Sequence, residues 1–168
     1  MANKHILTVD EFRELARPTS KHIDVEEVLT FIRECEDMFI IPGIGLSRFK
    51  RLLEDSLSGD DKILLSGGEY KDEKNTLYKC SGLKLALSYF VYAKMTMADG
   101  GMLTRTGMMQ HNDSYASREE DKNKVRRYNE AMNVAESYFN SCLAYIKSKE
   151  TDIKPVRGTR LRVHAIGD

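Results

Sequence analysis

Apolar residues in the C-terminal third recur at alternating spacings of three and four: Val125, Tyr128, Met132, Ala135, Phe139, Cys142 and Ile146. That period puts them on one helix face. Ser117-Arg118-Glu119-Glu120 has the form of a capping box, so a long helix is predicted over residues 117–149. A second apolar run, residues 81–98, reads differently. Leu83, Leu85, Ala86, Leu87, Tyr89, Phe90, Val91, Tyr92, Ala93, Met95 and Met97 make it apolar nearly all round. Such a helix is enclosed on most sides, by its own domain or by neighbouring subunits.

Two further helices precede it. Asp24 has the position of an N-cap, with Glu27 in the capping-box position, and Val25, Val28, Leu29, Ile32 and Cys35 share a face to about Asp37. Ile40-Ile41-Pro42-Gly43-Ile44-Gly45 is predicted to break that helix. The next uses Leu46, Phe49, Leu52 and Leu53 and ends near Ser56. A helical turn at residues 62–65 runs into Gly67-Gly68, read as a turn. Residues 69–78 read as a polar loop. Residues 1–23 read as a polar arm with apolar anchors Ile6, Leu7, Val9, Phe12 and Leu15, and with room for a short helix over residues 10–16 stopped by Pro18.

Two segments have an adhesive composition. Asp99-Gly100-Gly101 closes the apolar helix, and the loop beyond it holds Met102, Thr104, Arg105, Thr106, Met108 and Met109. Thr104-Arg105-Thr106 suits a short strand or half of a hairpin. Methionine conforms to irregular surfaces, so Met102, Thr104, Arg105, Met108 and Met109 are candidate subunit-interface residues. The other segment is the tail, residues 150–168. Basic and apolar residues alternate there from residue 160 to 165, which is strand periodicity with no partner strand nearby in sequence. Lys154, Arg157, Arg160, Leu161, Arg162 and Val163 are therefore candidates for partner binding by strand addition to a neighbouring protein. Plain disorder is the competing reading of both segments.

Composition narrows the function. The 168 residues suit one domain with arms. Lysine plus arginine total 26, as do aspartate plus glutamate, and this neutrality argues against a general nucleic-acid binder. Cys35, Cys80 and Cys142 are widely spaced, which argues against a disulfide framework or a structural zinc site. Cys35 and Cys142 occupy helical core positions, so buried reduced thiols and a reducing compartment are expected. The N-terminus lacks an apolar signal core, and no apolar run approaches membrane-spanning length.

No catalytic constellation can be assembled. His5, His22, His111 and His164 lie in arms or loops without metal-ligand spacing. Gly67-Gly68 lacks the Lys-Ser/Thr of a phosphate loop, and no serine sits in a nucleophile elbow. Glu119, Glu120, Asp121 and Glu130 interleave with Lys122, Lys124, Arg126 and Arg127, a pattern expected of a solvated, salt-bridged helix face. The expectation is a protein that is not an enzyme and takes no cofactor or metal.

Three stretches carry a family resemblance. The first is Phe31-Ile32-Arg33-Glu34-Cys35-Glu36-Asp37-Met38-Phe39-Ile40-Ile41-Pro42-Gly43-Ile44-Gly45. The second is Leu65-Ser66-Gly67-Gly68-Glu69-Tyr70 leading into Gly82-Leu83-Lys84-Leu85-Ala86-Leu87-Ser88-Tyr89-Phe90-Val91-Tyr92-Ala93-Lys94. The third runs from Thr106-Gly107 and Tyr115 to Asn129-Glu130-Ala131 and Ala135-Glu136-Ser137-Tyr138-Phe139. In this order they resemble head–tail connector proteins of tailed phages, closest to those of Bacteroidales and crAss-like phages. The resemblance covers roughly residues 24–147 and leaves out the basic tail.

That resemblance implies a neck adaptor in the virion, made in the host cytoplasm. It implies a ring of copies, commonly twelve-fold, beneath the portal protein. The ring joins capsid to tail with further neck or tail proteins and surrounds DNA without reading its sequence, and no membrane is involved. The alternative from another class is a small helical nucleic-acid-binding regulator, using the basic tail and residues 122–127 on phosphates. The fold expected is mainly α, a small bundle of about four helices with a long C-terminal helix. Extended N- and C-terminal arms flank it, with room for a short β-hairpin in a loop. The domain boundaries are 1–23, 24–149 and 150–168.

Overall fold

A computed structural model describes residues 4–18, 24–72, 74–98, 101–104, 107–110 and 121–149. The fold is mainly α, with a long C-terminal helix, as the apolar spacing requires. In chain order come α1 (Val9–Leu15), α2 (Val25–Cys35), a π-helical turn (Glu36–Ile40), α3 (Ile41–Ile44), α4 (Leu46–Leu52) and α5 (Gly59–Ser66). Strands β1 (Gly68–Lys71) and β2 (Leu77–Cys80) follow, then α6 (Leu83–Ala98), β3 (Gly101–Thr104), β4 (Gly107–Gln110) and α7 (Asp121–Lys149).

The principal packing is α6 against α7, with α2 and α1 also on α6. Leu83, Ala86, Leu87, Phe90, Val91 and Ala93 of α6 are buried. From α7 come Ala131, Met132, Ala135, Phe139, Cys142, Tyr145 and Ile146, so the three/four spacing marks the core face correctly. Phe90 is the centre of this seam. Its ring stacks on Phe39 (centroids 4.4 Å apart, planes 10° apart) and meets Phe139 edge-on at 6.2 Å. The predicted cap of α7 at Ser117 lies outside the described residues.

Several expectations are corrected. The Ile40–Gly45 stretch does not break the helix. The rod continues through the π turn and α3, and it ends only at Gly45, whose φ is +84°. In an α-helix the Pro42 ring would meet the carbonyl of residue 38 and leave it without a donor; a wide turn just before the proline accommodates both. Asp24 does cap α2, but its carboxylate accepts from the Glu26 N–H rather than forming a capping box with Glu27. Val25 and Leu46 are exposed, not core. The second helix stops at Leu52, short of Ser56, and the helical turn expected at residues 62–65 is a full helix capped by Ser58.

Residues 69–78, expected to be a polar loop, form the antiparallel hairpin β1–β2 with Gly68 opposite Cys80 and Tyr70 opposite Tyr78. Its turn is built by side chains. The Asp72 carboxylate accepts from the N–H groups of Lys74 and Thr76. Asn75 supplies the left-handed residue (φ 60°) while donating to the Asp72 carbonyl. Where α5 and β2 end, two backbones nearly touch. A Cβ on Gly82 would lie 2.5 Å from the Gly67 nitrogen, so side chains are excluded there.

The arm drawn over residues 1–23 is docked where it is described. Thr8 and Glu11 form a capping box for α1. Ile6, Leu7 and Phe12 are buried in the common core, and Lys84 of α6 bonds Glu11.

Candidate functional site

The candidate tail residues, Lys154, Arg157, Arg160, Leu161, Arg162 and Val163, lie outside the described residues, as does Arg105. Met102, Thr104, Met108 and Met109 fall on β3 and β4. These strands form the hairpin for which Thr104-Arg105-Thr106 left room. The register pairs Met102 with Met109, Leu103 with Met108, and Thr104 with Gly107. The hairpin lies in sequence between the two principal helices, α6 and α7. A two-stranded hairpin on its own is marginal in water.

On the body, a buried carboxylate holds residues 5 and 6 in place. Glu36, in the π turn, accepts from the Ile6 N–H through Oε1 (2.9 Å) and pairs with His5 Nδ1 through Oε2 (2.7 Å). A carboxylate accepts, so His5 carries its proton on Nδ1. Nothing in sequence marks this pair, which is 31 residues apart. Replacing Glu36 with Ala orphans two donors and is expected to cost about 2 kcal/mol. Glu36→Gln retains one acceptor and should cost about half as much. Thermal unfolding measures the loss, and tryptic cleavage at Arg13 should quicken in the same order. Equal cleavage rates in all three proteins would show that Glu36 does not hold this segment.

A second polar cluster surrounds the start of α5. The Tyr145 hydroxyl donates to Asp60 Oδ1 (2.7 Å), and Lys149 Nζ lies 3.0 Å from the same oxygen. Those two partners hold the Asp60 carboxyl below its usual range. Burial opposes the charge of Asp61, but the Ser58 hydroxyl and the Arg51 guanidinium outweigh it and lower that carboxyl too. Both clusters fasten helix ends. Among the described residues, no group of three or more His, Cys, Asp or Glu is placed to hold a metal ion.

The three cysteines are all buried free thiols. Cys35 stands apart, and burial pushes its pKa up to about 12. Cys80, at the end of β2, and Cys142, on α7, lie with their sulfurs 3.8 Å apart. The hydrogen bond between them favours ionisation of Cys80 and, with burial, disfavours that of Cys142. Nothing in the sequence marks this juxtaposition, because 62 residues of chain separate the two.

The charged face of α7 is only partly solvated. Lys122, Arg126 and Arg127 are exposed, whereas Lys124 is buried. Glu130 lies within 4.0 Å of Arg126 and 3.8 Å of Arg17. The basic cluster is thus interrupted by burial and neutralised in part. Among the described residues, no helix is long and apolar enough to cross a membrane.

No curated protein and no solved structure matches the chain. Residues 40–156 match DUF6712, a family of unknown function. The matched span takes in α3 through α7, including both hairpins and the thiol pair. It covers well over half of the sequence, and the chain therefore belongs to the DUF6712 family.

Proposed function

We propose that this protein is a structural virion component, a head–tail connector that assembles as a ring beneath the portal and joins capsid to tail around the DNA channel. The observation that carries the reading is the β3–β4 hairpin. It sets Met102 opposite Met109 and Leu103 opposite Met108 in register, in the segment between the two main helices. A neighbouring copy is the simplest cover for it, and a neutral net charge permits copies to gather. The order of short matches to phage connectors supports the same assignment. The basic tail, with Arg160, Arg162 and their apolar alternates, is assigned to an adjacent neck protein. The protein performs no chemistry in this reading.

The test is particle mass, by light scattering on the full chain and on a variant with residues 101–110 replaced by a short Gly-Ser linker. The full chain is expected to give a closed multimer. The variant is expected to keep its helical circular dichroism and fall to the mass of one chain. A wild-type monomer that retards DNA in a gel would overturn the connector reading and favour a nucleic-acid-binding regulator.

A further inference from the structure

We propose that Cys80 and Cys142 are a latent redox pair, closed to a disulfide by hydrogen peroxide, that locks the β1–β2 hairpin onto α7. The sulfurs are 3.8 Å apart, in contact but unbonded. Side-chain rotation can bring them to the bonded distance of about 2.05 Å if the backbones are already held in place. They are held by the residues next to each cysteine: the Ser81 N–H donates to Ser141 Oγ at 3.0 Å. On the other side, the Gly67–Gly82 contact fixes the chain immediately after Cys80.

Access is controlled by the strand. Leu77, Tyr78 and Lys79 are exposed, and Cys80 is the first buried residue of β2. Fraying of a four-residue strand in a two-stranded sheet uncovers Cys80 without unfolding the helices. The thiol favoured to ionise is thus the one the reagent reaches first. Its thiolate attacks one peroxide oxygen. The O–O bond breaks, hydroxide leaves, and with the proton that Cys80 gave up it becomes water. Cys80 is then a sulfenic acid. The Cys142 sulfur attacks it, the S–S bond forms and the S–O bond breaks. The departing hydroxide takes the Cys142 proton as a second water. Two electrons pass from the two sulfurs to one peroxide. Under glutathione the pair stays reduced, so closure follows transfer to an oxidising medium. Cys35 has no thiol neighbour and remains free.

The test uses the full folded chain. It is incubated with hydrogen peroxide at neutral pH, quenched with catalase, unfolded in iodoacetamide and peptide-mapped. The expected product is a Cys80–Cys142 cross-linked peptide with Cys35 alkylated. The oxidised protein should melt about 10 °C higher, because the link closes a loop of 62 residues, and dithiothreitol should reverse the shift. In Cys142→Ser, Cys80 should instead be trapped as a sulfenic acid by dimedone. Should that variant fail to fold, the wild-type map decides alone. Full alkylation of all three thiols, sulfinic acid at Cys80 without a cross-link, or links that use Cys35 as often as Cys142 would each overturn the proposal.

Discussion

Phe90→Ala is expected to lower stability by about 4 kcal/mol, the upper part of the range for a large side chain deleted from a packed core. Phe90 has no exposure to solvent. Its ring is contacted from the π turn by Phe39 and from α7 by Phe139, so three elements lose a shared surface at once. None of the three can move in to fill the space without giving up its other contacts. Denaturant titration should show a lower midpoint with little change in slope, and the thermal midpoint should fall by roughly 10 °C. Leu77→Ala is the matched control, since Leu77 is 58% exposed and its loss should fall within about 0.5 kcal/mol of zero. If the two variants unfold alike, the α6–α7 seam is not what holds the molecule together.

Gly82→Ala is expected to cost nearly as much, through backbone rather than cavity. Gly82 has φ +92°, and a Cβ there would lie 2.5 Å from the Gly67 nitrogen and 2.7 Å from the Ser66 carbonyl carbon. Those are main-chain atoms, which cannot swing aside as the end of a side chain can. Gly45 isolates the conformational part of this cost. Its φ is +84°, but nothing lies within 4 Å of the position a Cβ would take. Gly45→Ala should therefore cost about 2 kcal/mol, the strain of a glycine-only conformation. Gly82→Ala adds the clash and should reach about 4 kcal/mol. Urea unfolding of both variants side by side measures the difference. Equal losses would mean that the 66–67 and 81–82 segments are free to separate.

The parts legible in the sequence were those with a long period or a fixed offset. Met132, Ala135, Phe139, Cys142 and Ile146 repeat often enough to define a face, and all are buried. The β1–β2 hairpin escaped because each strand has four residues, of which only Tyr70 and Cys80 are buried. So little alternation cannot be told from loop. Asp72 followed by Asn75 was its one local signal, a side-chain cap and a left-handed residue in one turn. The continuity of the rod through Pro42 escaped because proline is normally a terminator, and only the wide turn before it makes it tolerable. The Glu36–His5 and Cys80–Cys142 pairs were illegible for a different reason. Each is a meeting of residues far apart in the chain, and a single sequence records no distances. The β3–β4 hairpin was visible through its methionines and flanking glycines, while the tail candidates lie outside the described residues.

The π turn also sets an angular phase. Successive residues of an α-helix advance by about 100°, so twelve residues after Ile32 a regular helix would carry Ile44 about 120° away from it. Both are nevertheless buried in the same core. One surplus residue taken up in a wide turn removes about 100° of that drift and returns Ile44 to within about 20° of Ile32. The wide turn and the number of residues between Cys35 and Ile41 are therefore matched to each other. A regular helix of the present length would rotate Ile44, and every element after it, off the axis on which the bundle closes, whereas deleting one residue would keep the phase and remove the wide turn that Pro42 needs.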